Sequence, residues 1–435
     1  MVQRANRRDF LQRSAAAGIG FWVAGGVEAA QSASPNEKIG MASIGVDGKG
    51  QSDSGDADSH GQLVAICDVD EKKLDAAAKR FPKAKKYVDF RKMLDEMGKS
   101  IDAVTVSTPD HVHAVASVTA MRMRKHCFCQ KPLTRTIQEA RVMGQVAREM
   151  KVATQMGNQG TANDGLRRAA ALLRKNALGK VSQVHVWTDR PIWPQGGNRP
   201  APAPVPKELH WDLWLGPAPF RPYGLGYHPF SWRGWWAFGT GALGDMACHT
   251  LNMPYAGLEL RDPISVEAET SPDRNVFSYP KWSVIKFEFP ANSWRGPLTL
   301  TWYDGGKRVS KELLNGKDPS KSGAVIVGEK GKLYAPGDYC DSFEILGKVD
   351  LPKVEFQRGP NHFEEWTRAI RGGPAAMSNF HDYSGPLTET ILLGNLAVWA
   401  AGNKVEWDAK NLQVKNHMPE VEHVVRGEYR KGYSL

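Results

Sequence analysis

Between residues 38 and 130 short, almost wholly apolar runs alternate with longer helical ones, and that rhythm leaves few folds open to the chain. The apolar runs are KIGMASIG, LVAICD, IDAVTVST and HCFCQ; EKKLDAAAKRF (71–81), FRKMLDEM (90–97) and AVASVTAM read as helices between them. Strands rich in Val, Ile and Ala, without polar alternation, are buried on both faces, which requires helices above and below a parallel sheet. The expectation is an α/β fold whose N-terminal part is a doubly wound parallel sheet.

The first strand runs directly into Gly45-Val46-Asp47-Gly48-Lys49-Gly50, and the second ends on Asp68. A dinucleotide-binding (Rossmann) domain needs glycines after strand one and an acid about 20 residues on. Gly45 then makes the tight turn and Gly50 lets the following helix pack close. Asp68 can accept hydrogen bonds from an adenosine ribose, and its charge repels a 2′-phosphate, so NAD is expected over NADP. The pattern departs from G-x-G-x-x-G in two ways. Asp47 stands at the middle glycine, where a pyrophosphate approaches, leaving Gly48 to supply the close backbone contact. The next segment, QSDSGDADSHG, has no large apolar residue and makes a poor helix.

Ligands of a doubly wound sheet gather at the carboxyl ends of its strands. HCFCQ ends there on Gln130 and Lys131, with Pro132 fixing the chain beyond. A lysine at that place can orient a substrate hydroxyl and stabilise developing alkoxide charge; a solvated surface lysine is the plain alternative. Much later, Asp245 and His249 fall at i and i+4 of a helical stretch and share a face. A carboxylate beside an imidazole raises its pKa and suits it to take a hydroxyl proton; an unrelated helix-cap aspartate is the alternative. No third ligand lies nearby, so no metal is expected.

Beyond residue 155 the pattern changes. An amphipathic helix (161–179) and the alternating SQVHVWTD precede short strands at 264–269, 283–289, 298–303, 324–327 and 332–335, which indicates a large, mainly antiparallel sheet. The helix 388–402 closes this part before a charged tail. Seven of the 14 tryptophans lie between 187 and 236. Indoles can stack on sugar C–H faces or simply fill a core; Trp232, Arg233 and Trp236 are the best candidates for a substrate loop.

The N-terminus reads NRRDFLQ followed by the weakly apolar SAAAGIGFWVAGG, the pattern of a twin-arginine export leader cleaved near Ala29. The expected location is therefore the periplasm or beyond, with cofactor loaded before export. No stretch is long and apolar enough for stable membrane insertion. The net charge is +10, but the basic residues are scattered among 47 acids and form no stripe, so nucleic acid is not an expected partner. Five dispersed cysteines define no disulfide framework, and Cys127 and Cys129 read as core thiols.

Taken together, Gly45–Gly50, Asp68, Thr108-Pro109 with His113, Gln130-Lys131-Pro132 and Asp245-x-x-x-His249 resemble the glucose–fructose oxidoreductase/inositol dehydrogenase (Gfo/Idh/MocA) family over about residues 38–405. The resemblance implies an NAD-binding Rossmann domain and a C-terminal α/β domain whose open sheet often pairs subunits, so a homo-oligomer, dimer or tetramer, is expected. The expected divisions are a leader (1–35), a Rossmann domain (36–155), a substrate and oligomerisation domain (156–405) and a tail (406–435). By the same resemblance Lys131 orients substrate, His249 is the acid/base and Asp245 its partner. Gly45, Gly48, Gly50, Asp68, Thr108, Pro109, His113, Gln130 and Asn158 surround NAD, while Gln159 faces the substrate. Gln130 replaces the family's usual Glu. Three functions stay open: an exported NAD-dependent oxidoreductase acting on a sugar or polyol; a glycoside hydrolase or epimerase using transient oxidation; and a non-catalytic binding protein.

Overall fold

The computed structural model describes residues 38–435, and the expected export leader lies outside the described residues. Six strands, β1 (Gly40–Ile44), β2 (Gln62–Cys67), β3 (Lys85–Tyr87), β4 (Ala103–Val106), β5 (His126–Cys129) and β6 (Thr154–Met156), form a parallel sheet in the order β3-β2-β1-β4-β5-β6. Every residue of β1, β4 and β5 is buried, as their unbroken apolar sequence requires. The strand order reverses between β1 and β4, and this opens a crevice at the carboxyl ends of the strands.

The segment expected to be a poor helix is a helix, Lys49–His60. Its lack of large side chains is what lets it lie close to the sheet. Gly50 and Ala57 are buried on its inner face, and the buried Ser54 hydroxyl donates to the Gly50 carbonyl at 2.7 Å. Tertiary contact here overrides a weak local propensity.

A second sheet carries nine strands: β7 (Val181–Trp187), β8 (Ser265–Thr270), β9 (Ser283–Phe289), β10 (Leu298–Tyr303), β11 (Gly323–Gly328), β12 (Lys332–Pro336), β13 (Glu344–Leu346), β14 (Val405–Asp408) and β15 (Gln413–Val414). Their order is β13-β12-β11-β7-β10-β9-β8-β14-β15, and all pairs are antiparallel except β7 with β10. The segment read as a charged tail thus supplies two strands at one edge. The helix Gly385–Trp399, buried almost all round, packs on β8 and β9 and also on the Rossmann helix Ile137–Met150. One apolar core consequently runs through both sheets.

The helix His362–Ile370 crosses back from the C-terminal part. Its Phe363 and Trp366 pack on Phe128 of β5, together with Ile39, Met41 and Ile66. All five cysteines are buried and free, and burial pushes the Cys127 thiol up to about 12.

Buried histidines make the fold acid-sensitive. Desolvation lowers His111 to about 3, and His113, His126 and His362 to about 4. An unfolded chain binds these protons near pH 6.5, so it gains protons before the fold does as pH falls. Asp110 and Asp304, raised by burial to about 7 and about 6, act in the opposite direction but are fewer. The melting temperature is expected to fall between pH 6.5 and 4.5; a flat or rising profile over that interval would contradict the balance.

Candidate active site

The glycine turn follows β1 with two close approaches. A Cβ on Gly45, whose φ is +83°, would lie 2.6 Å from the Ser107 carbonyl oxygen, and one on Gly50 would lie 2.1 Å from that of Gly45. Gly48, at φ +55°, has open space where a side chain would be. Asp47 turns away to an ion pair with Lys73 at 2.7 Å, and that contact holds its carboxyl below the usual range. The anion that interrupts the glycine pattern is therefore neutralised by a partner on the Glu71–Arg80 helix. Asp68 accepts from the backbone N–H groups of Val46 and Asp70, each at 3.0 Å, and so braces the turn from the end of β2.

This turn forms one wall of a cavity of ≈ 620 Å³ that continues over the strand ends to Lys131 and His249. The Lys131 ammonium donates to the Asp245 carbonyl at 2.7 Å and to its carboxylate at 3.0 Å. Arg233 reaches the same carboxylate oxygen at 3.3 Å. Asp245 is 14 % exposed, so desolvation alone would push its pKa up; Lys131 and Arg233 outweigh that and hold it below the ordinary value. The expected Asp245–imidazole pair is replaced by this Lys131–Asp245–Arg233 cluster.

His249 lies one helical turn on and is 4 % exposed. Burial drives its pKa well below 6.5 and Lys131 adds to the shift, which Asp245 only partly opposes. The expected upward shift is thus reversed, because desolvation and a nearby cation both penalise the imidazolium. Its Nδ1 has no hydrogen-bond partner among the described residues, and Tyr339 packs edge-on at 4.7 Å. Desolvation and Lys131 both favour the neutral ring, whose unpartnered Nδ1 is shut off from solvent.

Gln130 explains itself through a residue that local pattern did not single out. Asp53, 1 % exposed on the Lys49–His60 helix, accepts from Gln130 Nε2 at 2.8 Å and from Ser107 Oγ at 2.7 Å, and pairs with Lys49. A glutamate at 130 would set two buried carboxylates against each other. Gln130→Glu is therefore expected to destabilise the protein by about 1–3 kcal/mol, and Gln130→Glu with Asp53→Asn to restore it. Equal chemical-denaturation midpoints for the Gln130→Glu variant and the parent would refute the pairing.

Gly45, Gly48, Asp68, Thr108, Pro109, Gln130, Gln159, Trp232 and Arg233 all stand on the cavity wall. Gly50 lies behind it, in the close helix packing expected of it. Three expected site residues lie elsewhere. His113 is buried with its ring nitrogens 2.9 Å from the Pro132 carbonyl oxygen and 2.8 Å from that of Thr108, and its neutral ring has one N–H to donate to one of them. Asn158 is fully buried and accepts from Ser378 at 2.5 Å. Trp236 stacks on Tyr279 at 3.7 Å in the core. Conversely, Arg190, Phe230, Asp338 and Tyr339 join the wall from loops, where no periodicity points to them. The His, Cys, Asp and Glu side chains among the described residues form no metal-binding cluster, and no helix there is long and apolar enough to cross a membrane.

A dinucleotide fits these residues: a glycine turn with one open Cβ position, an acid at the end of β2, and a polar wall leading to Lys131. Such a parallel sheet, joined to a second domain whose helix Gly241–Thr250 carries a histidine into the crevice, defines the class of two-domain, NAD-binding oxidoreductases. Residues 39–158 match the oxidoreductase family's NAD-binding Rossmann fold, and residues 170–434 match its C-terminal alpha/beta domain. The chain belongs to the Gfo/Idh/MocA family.

Among its relatives, levoglucosan dehydrogenase of Pseudarthrobacter phenanthrenivorans is 25% identical over 177 residues, 41% of this chain and 37% of that protein. Inositol 2-dehydrogenase of Salmonella typhimurium is 25% identical over 126 residues, 28% of this chain and again 37% of that protein. The matches thus span little more than a third of either relative. The structure of the WlbA dehydrogenase from Bordetella pertussis, in complex with NADH and UDP-GlcNAcA, superposes with a TM-score of 0.61 at 17% identity, covering 86% of this chain and 99% of that one. Aldose-aldose oxidoreductase from Caulobacter crescentus, complexed with glycerol, gives 0.57 at 18%, covering 85% and 100%. At such identities the likeness is one of fold.

Proposed function

We propose that the protein is an exported NAD-dependent oxidoreductase acting on a secondary hydroxyl of a sugar or polyol, with a cofactor that stays bound through turnover. The observation that carries this reading is the neutral, uncommitted His249 on the same cavity wall as Lys131 and the glycine turn. Gly45, Gly48, Asp68, Thr108, Pro109 and Gln130 are the residues that would hold NAD, whose nicotinamide supplies the hydride acceptor.

With Nδ1 shut off from solvent, His249 takes the hydroxyl proton on Nε2, and burial keeps the ring unprotonated beforehand. Lys131 spends two of its three donors on Asp245, leaving one to hold the substrate oxygen and stabilise its developing charge. Asp245 and Arg233 fix the ammonium in place. Phe230, Trp232 and Tyr339 give the wall an aromatic lining on which sugar C–H faces can lie. The named relatives, levoglucosan and inositol dehydrogenases, point to the same substrate class.

Export sets a further condition. A periplasm holds no free NAD pool, so the nucleotide must be carried across and recycled in place. That condition also favours the second reading, a glycoside hydrolase or epimerase that returns the hydride and needs NAD only catalytically. Retention of both Lys131 and His249 weighs against a non-catalytic binding protein.

Denaturing the purified protein is expected to release NAD, seen by absorbance and mass. Protein that carries no nucleotide and binds none when NAD is added would overturn the reading. Turnover of free sugars that depends on an electron acceptor supports net oxidation; cleavage of chromogenic glycosides without one selects the second reading.

A further inference from the structure

The cavity follows the carboxyl edge of the parallel sheet from Lys131 after β5, past Gly45 after β1, to Asp68 after β2 and Val88–Phe90 beyond β3. With Lys131 and His249 at one end, the nucleotide half of a dinucleotide falls at the other. Tyr433, two residues before the last residue of the sequence, lines that far end.

Tyr433 is held there from two sides. The Arg91 guanidinium, on the Rossmann helix Phe90–Met97, lies 4.5 Å from its ring centroid and donates to the Gly432 carbonyl at 3.2 Å. Arg430 grips the opposite bank: its guanidinium donates to the Asp212 carboxylate at 2.6 Å, the Asp212 carbonyl at 2.7 Å and the Gly216 carbonyl at 2.9 Å. The Arg430 N–H adds a bond to the Pro217 carbonyl at 3.1 Å. The segment therefore bridges the two domains across the mouth of the cavity.

We propose that the C-terminal segment 428–435 completes the nucleotide site, with Tyr433 as the outer wall of the adenine subsite and Arg430 and Arg91 as the clamp that holds it. The proposal rests on the dinucleotide reading above and adds a binding element outside the glycine turn. A flat heteroaromatic base gains from an aromatic face beside apolar neighbours, here Val88, Phe90 and Leu213. Because the same segment spans both domains, its lifting would govern nucleotide release, in keeping with the bound cofactor proposed above.

The test compares AMP and nicotinamide mononucleotide, each titrated against the nucleotide-stripped full-length protein and its variants. Tyr433→Ala is expected to weaken AMP about tenfold and NAD by a similar factor, with nicotinamide mononucleotide unchanged; Tyr433→Phe retains the parent affinities. Arg430→Ala, which removes the anchor and leaves the ring intact, is expected to speed NAD release at least several-fold. Parent-like AMP affinity in Tyr433→Ala together with parent-like NAD release in Arg430→Ala overturns the proposal. Equal weakening of AMP and nicotinamide mononucleotide in Tyr433→Ala also overturns it, since the ring would then act on the whole cleft. If the parent itself binds neither mononucleotide nor NAD, the dinucleotide reading fails first, and that result is distinct from the other two.

Discussion

His249→Ala is expected to lower kcat by about 10²–10⁴-fold while the purified protein keeps its nucleotide and its melting temperature. The imidazole lines the cavity while its buried Nδ1 has no partner among the described residues, so removing it takes away the proposed proton acceptor without breaking a hydrogen bond at Nδ1. Because burial and Lys131 keep its pKa well below 6.5, the ring is the competent base at neutral pH, and the acid limb of kcat/KM belongs below pH 6.5. Lys131→Ala should cost a comparable factor, but by a different route. It removes the proposed donor to substrate oxygen and also leaves Asp245 facing Arg233 alone. Near-parental turnover in either variant would take that residue out of the mechanism.

Arg167→Ala is expected to cost about 3–5 kcal/mol of stability. Arg167 pairs with Glu365 at 2.8 Å, the two side chains being only 6% and 12% exposed. It also donates to the Thr161 carbonyl at 2.9 Å and the Gln357 carbonyl at 3.1 Å. The second oxygen of Glu365 has no partner among the described residues, so losing Arg167 strands a buried carboxylate. The pair joins the helix Asp164–Arg174 to the helix His362–Ile370, whose Phe363 and Trp366 pack against β5. Chemical denaturation checks it: the midpoint should drop sharply for Arg167→Ala and largely recover in Arg167→Met with Glu365→Leu. An unchanged midpoint in the single variant would show the pair to be energetically idle.

Much of the architecture was legible because buried parallel strands announce themselves. IDAVTVST and HCFCQ carry no polar alternation, and they became β4 and β5 with every residue buried. The helix 90–97 and five of the short strands in the nine-stranded second sheet were likewise visible from periodicity and turn residues. The Lys49–His60 helix was not, since its stability comes from lying close to the sheet, a contact that no local propensity records. Trp236 looked like a substrate residue because composition cannot tell a stacking platform from core filler; its ring faces Tyr279.

By itself the sequence determined the two-sheet α/β layout, the glycine turn with its acid at Asp68, and the presence of a lysine at a strand end and a histidine far along the chain. Those are properties of short stretches, where period and residue type leave one conformation favoured. Tertiary structure alone decided that Lys131, and not His249, holds Asp245, that Asp53 is the buried partner making Gln130 the fitting residue, and that Tyr433 lines the cavity. Each of these depends on side chains at least 77 positions apart meeting in a desolvated space. There, burial and neighbouring charge set both the pairing and the protonation state.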